Sequence, residues 1–124
     1  MKAEIKFSGQ SVEFYTAERC FIQEVANDAG DPQISIARAR VAPGVTTAWH
    51  QLDGISERYI IVSGTGRVQI GRQAPPVTVS AGDVVRIPAD TPQRIANHGS
   101  TDLIFYAVCV PPFRQTAYVA LETG

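Results

Sequence analysis

Residues 44–66 read GVTTAWHQLDGISERYIIVSGTG. A glycine precedes a short strand that carries His50, a loop follows, and Glu57 opens a longer apolar strand. That strand stops at Gly64-Thr65-Gly66, a turn signature ahead of another strand over 67–70. A histidine and a carboxylate on neighbouring antiparallel strands can aim at one point, which is how a sheet builds a metal site. His50 and Glu57 are therefore the first candidates for ligands.

Working outward, almost every periodic signal has period two, the mark of strands with one buried face. Residues 3–7 alternate, and 12–14 continue the theme after a turn-like Ser8-Gly9-Gln10. A strand over 20–26 ends in the dense turn cluster Asn27-Asp28-Ala29-Gly30-Asp31-Pro32. Over 33–41, Ala37, Ala39 and Val41 share one face and Arg38 and Arg40 the other. Ile34 and Ile36 fall on the arginine face, so either a bulge shifts the register or another segment covers them. Beyond the central stretch the pattern predicts strands over 77–80, 84–87, 93–97, 103–110 and 116–121. Prolines and glycines separate them: 71–76, 81–83, 88–92 and Pro111-Pro112. About a dozen short strands and no convincing helix mean an antiparallel sandwich or barrel.

The 124 residues, 44% hydrophobic and 19% charged, describe a globular chain of one domain, residues 1–124. A net charge of −1 gives no electrostatic reason to expect nucleic acid, and no apolar run is long enough to span a bilayer. The opening MKAEIKFSGQ lacks the apolar core of a signal peptide, so the expected location is cytoplasmic. Cys20 and Cys109 are then reduced thiols.

The spacing of Gly44, His50, Glu57 and Gly64 resembles the first signature motif of the cupin superfamily, with Leu52 where that motif has a second histidine. The second motif is matched by Gly82, Pro88 and Asn97, with Asp90 in place of a glycine and Gln93 in place of a histidine. The resemblance covers the central half of the chain. It implies a double-stranded β-helix, an all-β jelly-roll barrel with an open mouth, and a pocket at that mouth. The family's four ligand positions fall here on His50, Leu52, Glu57 and Gln93.

A site of His50, Glu57 and Gln93 offers one imidazole, one carboxylate and one amide for zinc, iron, manganese or nickel, with open positions for a substrate. Gln93 reads equally well as a hydrogen-bonding pocket residue. Leu52 shares a face with His50 and makes one wall apolar. Tyr59 and Ile61 share the face of Glu57, Ile95 that of Gln93, and Phe105, Ala107 and Cys109 that of Leu103, so these are candidate pocket lining or core. His98 reads as a solvated turn residue, Asn97 as a turn cap, and Trp49, pointing away from His50, as a subunit contact. Alternation also puts Arg58 on the face opposite Glu57.

The leading expectation is a small metal-dependent cupin acting on a small organic molecule, with oxygenase, isomerase or lyase chemistry open. The alternative is a metal-free module that binds a small molecule through the same residues without catalysis. Edge strands at both termini and the apolar segment 108–112 point to a homodimer.

Overall fold

The structure is a computed structural model that describes residues 1–122. Its strands are β1 (Phe14–Tyr15), β2 (Phe21–Ala26), β3 (Ser35–Val41), β4 (His50–Leu52), β5 (Ser56–Ser63) and β6 (Thr65–Ile70). They continue with β7 (Val77–Ser80), β8 (Val84–Ile87), β9 (Gln93–Ala96), β10 (Leu103–Val110) and β11 (Tyr118–Ala120). Single 3-10 turns cover Ser8–Gln10 and Gln115–Ala117. The alternating residues 3–7 form no strand, because no neighbouring strand supplies a ladder for them.

Two antiparallel sheets face each other. One has six strands in the order β1-β2-β3-β10-β5-β8, the other five in the order β11-β4-β9-β6-β7. The chain therefore crosses between sheets repeatedly, the jelly-roll path of a double-stranded β-helix. One consequence corrects the sequence reading: β4 and β5 are consecutive but belong to different sheets, so His50 and Glu57 approach each other across the barrel.

Alternation decides what each sheet buries. In β10, Leu103, Phe105, Ala107 and Cys109 are buried, whereas Ile104, Tyr106 and Val108 are only half-buried on the outer face. β3 pairs with β10 without interruption, so Ile36 stays on the arginine face. The bulge lies in the neighbouring strand, where the β2–β3 register shifts between Glu24 and Ala26.

The buried side chains form two clusters. The larger includes Val41, Tyr59, Ile61, Val68, Ile87, Ile95, Leu103 and Phe105. The smaller consists of Leu52, Ile55, Cys109 and Ala117, with Phe113 and Tyr118 packed on it. Asn97, fully buried, ties the far end: its amide donates to the Val41 and Thr101 carbonyls at 2.9 Å each, and its Oδ1 accepts from the Gly99 amide.

Candidate functional site

A cavity of about 320 Å³ opens between the sheets, with Ala107 of the larger cluster and Leu52 and Cys109 of the smaller one in its walls. Its floor follows from strand register. Glu24, Ala37, Ala107 and Tyr59 form one rung across β2, β3, β10 and β5. Ser35, Cys109, Glu57 and Ile87 form the next, across β3, β10, β5 and β8. Where neighbouring rungs carry large side chains, the barrel fills. Here Ala37 and Ala107 stand side by side and leave room above them.

From the five-stranded sheet, β4 and β9 set His50 directly opposite Gln93. His50 is 3% exposed and held at both ring nitrogens. Nδ1 lies 2.8 Å from the Ala48 carbonyl and so carries a proton; Nε2 lies 2.7 Å from Glu18 Oε1. Tyr118 stacks on the ring with centroids 5.1 Å apart. Burial pushes the imidazole pKa down, but the hydrogen bond and charge of Glu18 and the Ala48 carbonyl outweigh it, and the net direction is up.

Glu57 comes from the six-stranded sheet and is 8% exposed. The Cys109 thiol donates to its Oε2 at 3.7 Å, while Oε1 is buried with no hydrogen-bond partner. Burial, reinforced by the charge of Glu18, pushes its pKa up to about 7; His50, Gln93 and Cys109 oppose that rise without cancelling it. Neither Arg58 nor Arg94 pairs with it. Arg58 donates to Ser56, and Arg94 lies over the Trp49 ring at 4.4 Å. Trp49 is thus packed under Arg94 and Arg72 of its own chain.

The residues read from the sequence part company here. His50, Leu52 and Glu57 line the cavity. Gln93, 1% exposed, sits behind it and accepts a 2.6 Å hydrogen bond from the Tyr59 hydroxyl through Oε1. Tyr59, Ile61, Ile95 and Phe105 belong to the larger core cluster and not to the cavity wall. Alternation chose the correct face for them, but Ile61 and Phe105 lie one rung deeper than Ala107, and Tyr59, on the floor rung itself, packs on Phe105 and reaches Gln93 in the core. Most of the other wall residues went unnoticed in the sequence, among them Glu18, Glu24, Phe113 and Tyr118. Glu18 lies in the turn before β2 and Tyr118 in the last strand, so no local pattern links either to His50.

The donor set can be tested against a divalent ion. Ligation needs an unprotonated imidazole nitrogen. Nδ1 is committed to Ala48, and Nε2 is taken by Glu18. Gln93 Oε1 already accepts from Tyr59, and Leu52 has nothing to offer. Among the described residues, no three His, Cys, Asp or Glu side chains form a group that could hold a metal ion. The residues present do not fit a resident metal of the four-ligand type.

Other proteins share this architecture. A predicted oxalate decarboxylase from Thermotoga maritima is 22% identical, over 87% of this chain and 99% of its own, with a TM-score of 0.76. A nucleoside dehydratase from Streptomyces, in a variant form with uridine, is 17% identical over 98% of this chain and 93% of its own, with a TM-score of 0.79. KdgF from Halomonas sp. is 15% identical over 91% and 98%, with a TM-score of 0.76. At these identities the likeness is one of fold. No curated protein matches the chain in sequence. The family model for the cupin domain matches residues 37–109, more than half the chain and both motif regions, and the chain belongs to the cupin family.

Proposed function

We propose that this cupin acts on a small organic molecule in the cavity by proton transfer, as a lyase or isomerase, with Glu57 exchanging the proton. The observation that carries this reading is the Glu57 carboxyl: buried in the cavity wall, with Oε1 unpartnered and a pKa raised to about 7. A carboxyl poised there exists in both protonation states at neutral pH, which is what general acid–base work needs. Ionised, Glu57 takes a proton from an acidic C–H. Protonated, it gives one to a departing or rearranging oxygen. The same carboxyl hands that proton to the departing hydroxyl, so that loss of water from a substrate would balance. The C–H electrons form the new C=C bond, the C–O bond breaks, and the hydroxyl leaves as water with the proton Glu57 took. His50, held by Glu18, orients the substrate. Dehydration in the Streptomyces neighbour is chemistry of this type.

The competing reading is a metal-dependent cupin in which His50 and Glu57 hold zinc, iron, manganese or nickel and Gln93 completes the set. It requires Glu18 to leave Nε2. Nuclear magnetic resonance of the chain with labelled glutamate carboxyls, run beside elemental analysis, separates the two. The proton-transfer reading expects one carboxyl titrating near neutral pH, absent in Glu57→Gln, and no stoichiometric metal. One equivalent of a divalent metal in the parent, lost in His50→Ala, would replace it with the metal-dependent reading.

The proposal extends to setting and assembly. The two free, buried thiols suit a reducing, cytoplasmic location. Ile60, Val62 and Val84, exposed on the outer face of the six-stranded sheet, support a homodimer. No helix among the described residues is long and apolar enough to cross a membrane.

A further inference from the structure

Three glutamates, Glu18, Glu24 and Glu57, line the cavity, and no lysine or arginine does. Glu18 is paired with His50. The other two each keep a buried side-chain oxygen without a hydrogen-bond partner: Oε2 of Glu24 and Oε1 of Glu57. Glu57 is more than nine-tenths buried, so its orphan oxygen has no recourse to bulk water. β2 and β5 are three strands apart, or roughly 14 Å at about 4.8 Å per strand, with Glu24 on the Ala37–Ala107 rung and Glu57 on the next one, opposite Cys109. Around that floor the wall is apolar and aromatic: Phe14, Ile22, Leu52, Phe113 and Tyr118.

We infer that the ligand of this cavity is a small organic cation, an ammonium group on an apolar or aromatic body, with the ammonium on Glu57 and a second donor group reaching Glu24. This rests on the cavity being the small-molecule site and names the class of molecule it takes. An anion entering would face two carboxylates, and the one group in the wall that can carry positive charge, His50, is already paired with Glu18, so like charges in a poorly solvated site repel it. A neutral alcohol could satisfy one orphan oxygen but would leave the excess negative charge unopposed. An ammonium ion satisfies the oxygen by a charge-assisted hydrogen bond, and aromatic faces add to its attraction. The two alanines offer only methyl groups, a flat apolar floor for the body of the ligand. A carboxylate substrate such as oxalate finds no unpaired counter-charge in this wall.

The probes are 2-phenylethylammonium, the neutral 2-phenylethanol and the anionic 3-phenylpropionate, titrated at pH 8 and followed by chemical-shift changes of the folded chain. The ammonium ion should bind at least about tenfold more tightly than the alcohol, and the carboxylate should not bind. Glu57→Gln, which keeps size and shape, should weaken 2-phenylethylammonium binding by about tenfold and alcohol binding by much less. Glu24→Gln should leave binding of that probe unchanged and weaken 2-(4-hydroxyphenyl)ethylammonium, whose hydroxyl supplies the second donor, by about tenfold. Ala107→Leu, which fills the floor, should abolish binding of ammonium and alcohol alike; unchanged ammonium binding there would put it outside the cavity and overturn the inference. If the alcohol binds as tightly as the ammonium ion and Ala107→Leu removes it, the cavity remains the ligand site but the cation assignment is wrong. Binding of 3-phenylpropionate, or failure of all three probes at millimolar concentration, also overturns the cation assignment, while the titration of Glu57 tests the proton-transfer reading separately.

Discussion

At Gly64 the backbone adopts φ +82°, and a Cβ built there would lie 2.5 Å from the Asp102 carbonyl oxygen. Both facts exclude a side chain, since the left-handed region costs an L-residue about 1–2 kcal/mol and backbone cannot step aside cheaply. Gly64→Ala should therefore destabilise the chain by several kcal/mol in chemical denaturation; a loss below about 1 kcal/mol would mean the turn adapts. Asp90 shows the opposite solution: where the family has glycine it adopts φ +61°, and its carboxylate accepts from the Gly54 amide at 2.9 Å. Glu57 gives a prediction with a pH sign. Its pKa rises from the ordinary carboxyl value of 4.5 to about 7 on folding, so well below pH 4.5 folded and unfolded forms are both protonated and nothing is lost. Between those values the unfolded chain gives up the proton first, and stability falls as pH rises, reaching a plateau above about 7. Glu57→Gln should gain about 2–3 kcal/mol over the parent on going from pH 4.5 to pH 8, measured by urea denaturation at both. An advantage that does not change with pH would place Glu57 in a solvated environment. His50, whose folded pKa is also raised, lends stability that is complete below its unfolded value and fades as pH rises, so only the difference between parent and variant isolates Glu57.

The elements that the sequence made legible are those whose alternation is bracketed by turn residues. β7, β8 and β10 begin and end where Ala81-Gly82-Asp83, Pro88 and Pro111 dictate. Residues 3–7 alternate just as well and form no strand, because alternation records a preference for a half-buried face and cannot supply a neighbour. The pattern breaks in β3, but β3 keeps its register with β10 and the irregularity lies in its other partner, β2. The site divides the same way. His50 and Glu57 were legible because each sits at a fixed distance from a glycine that shapes the adjoining turn. Glu18 was not, since it is brought to His50 only by the route of the turn between β1 and β2 across the open mouth. That turn is itself anchored: the Ala48 amide donates to the Glu18 carbonyl at 3.0 Å, and Arg19 donates to the Thr46 carbonyl at 3.0 Å. A turn pinned at two points holds Glu18 against the imidazole, and the element has a measurable task. Glu18→Gln removes the charge and leaves burial to act on His50, so the His50 pKa should drop in a proton-resonance titration. An unchanged value would show that the two side chains do not meet in solution.

On the scale of the whole molecule, the outer face of the six-stranded sheet is where this barrel departs from a surface made for water. Ile60 is 42% exposed, Val62 45% and Val84 58%, and Ile60 lies directly opposite both Val84 and Tyr106 in neighbouring strands. The apolar segment 108–112 read from the sequence adds to this face in a different way than expected: β10 lies inside the sheet between β3 and β5, so it contributes outward side chains and no free edge. Its half-buried Tyr106 and Val108 and exposed Val110 extend the patch along the strand. Beside it Arg58 stands directly opposite Arg86, a like-charge pair that a lone barrel gains nothing from keeping. Contiguous apolar surface rimmed by charge is the usual anatomy of a subunit contact. A second copy related by a two-fold axis would cover the patch with itself, leaving both cavities open because they face the opposite side of the sheet. Sedimentation velocity at micromolar concentration should then give a dimer, and Ile60→Glu with Val84→Glu should give a folded monomer, since both positions point outward and carry no core contact. A monomeric parent would remove the dimer. A dimer that survives both charges would move the interface elsewhere, with the free edge of β1 as the next surface to test.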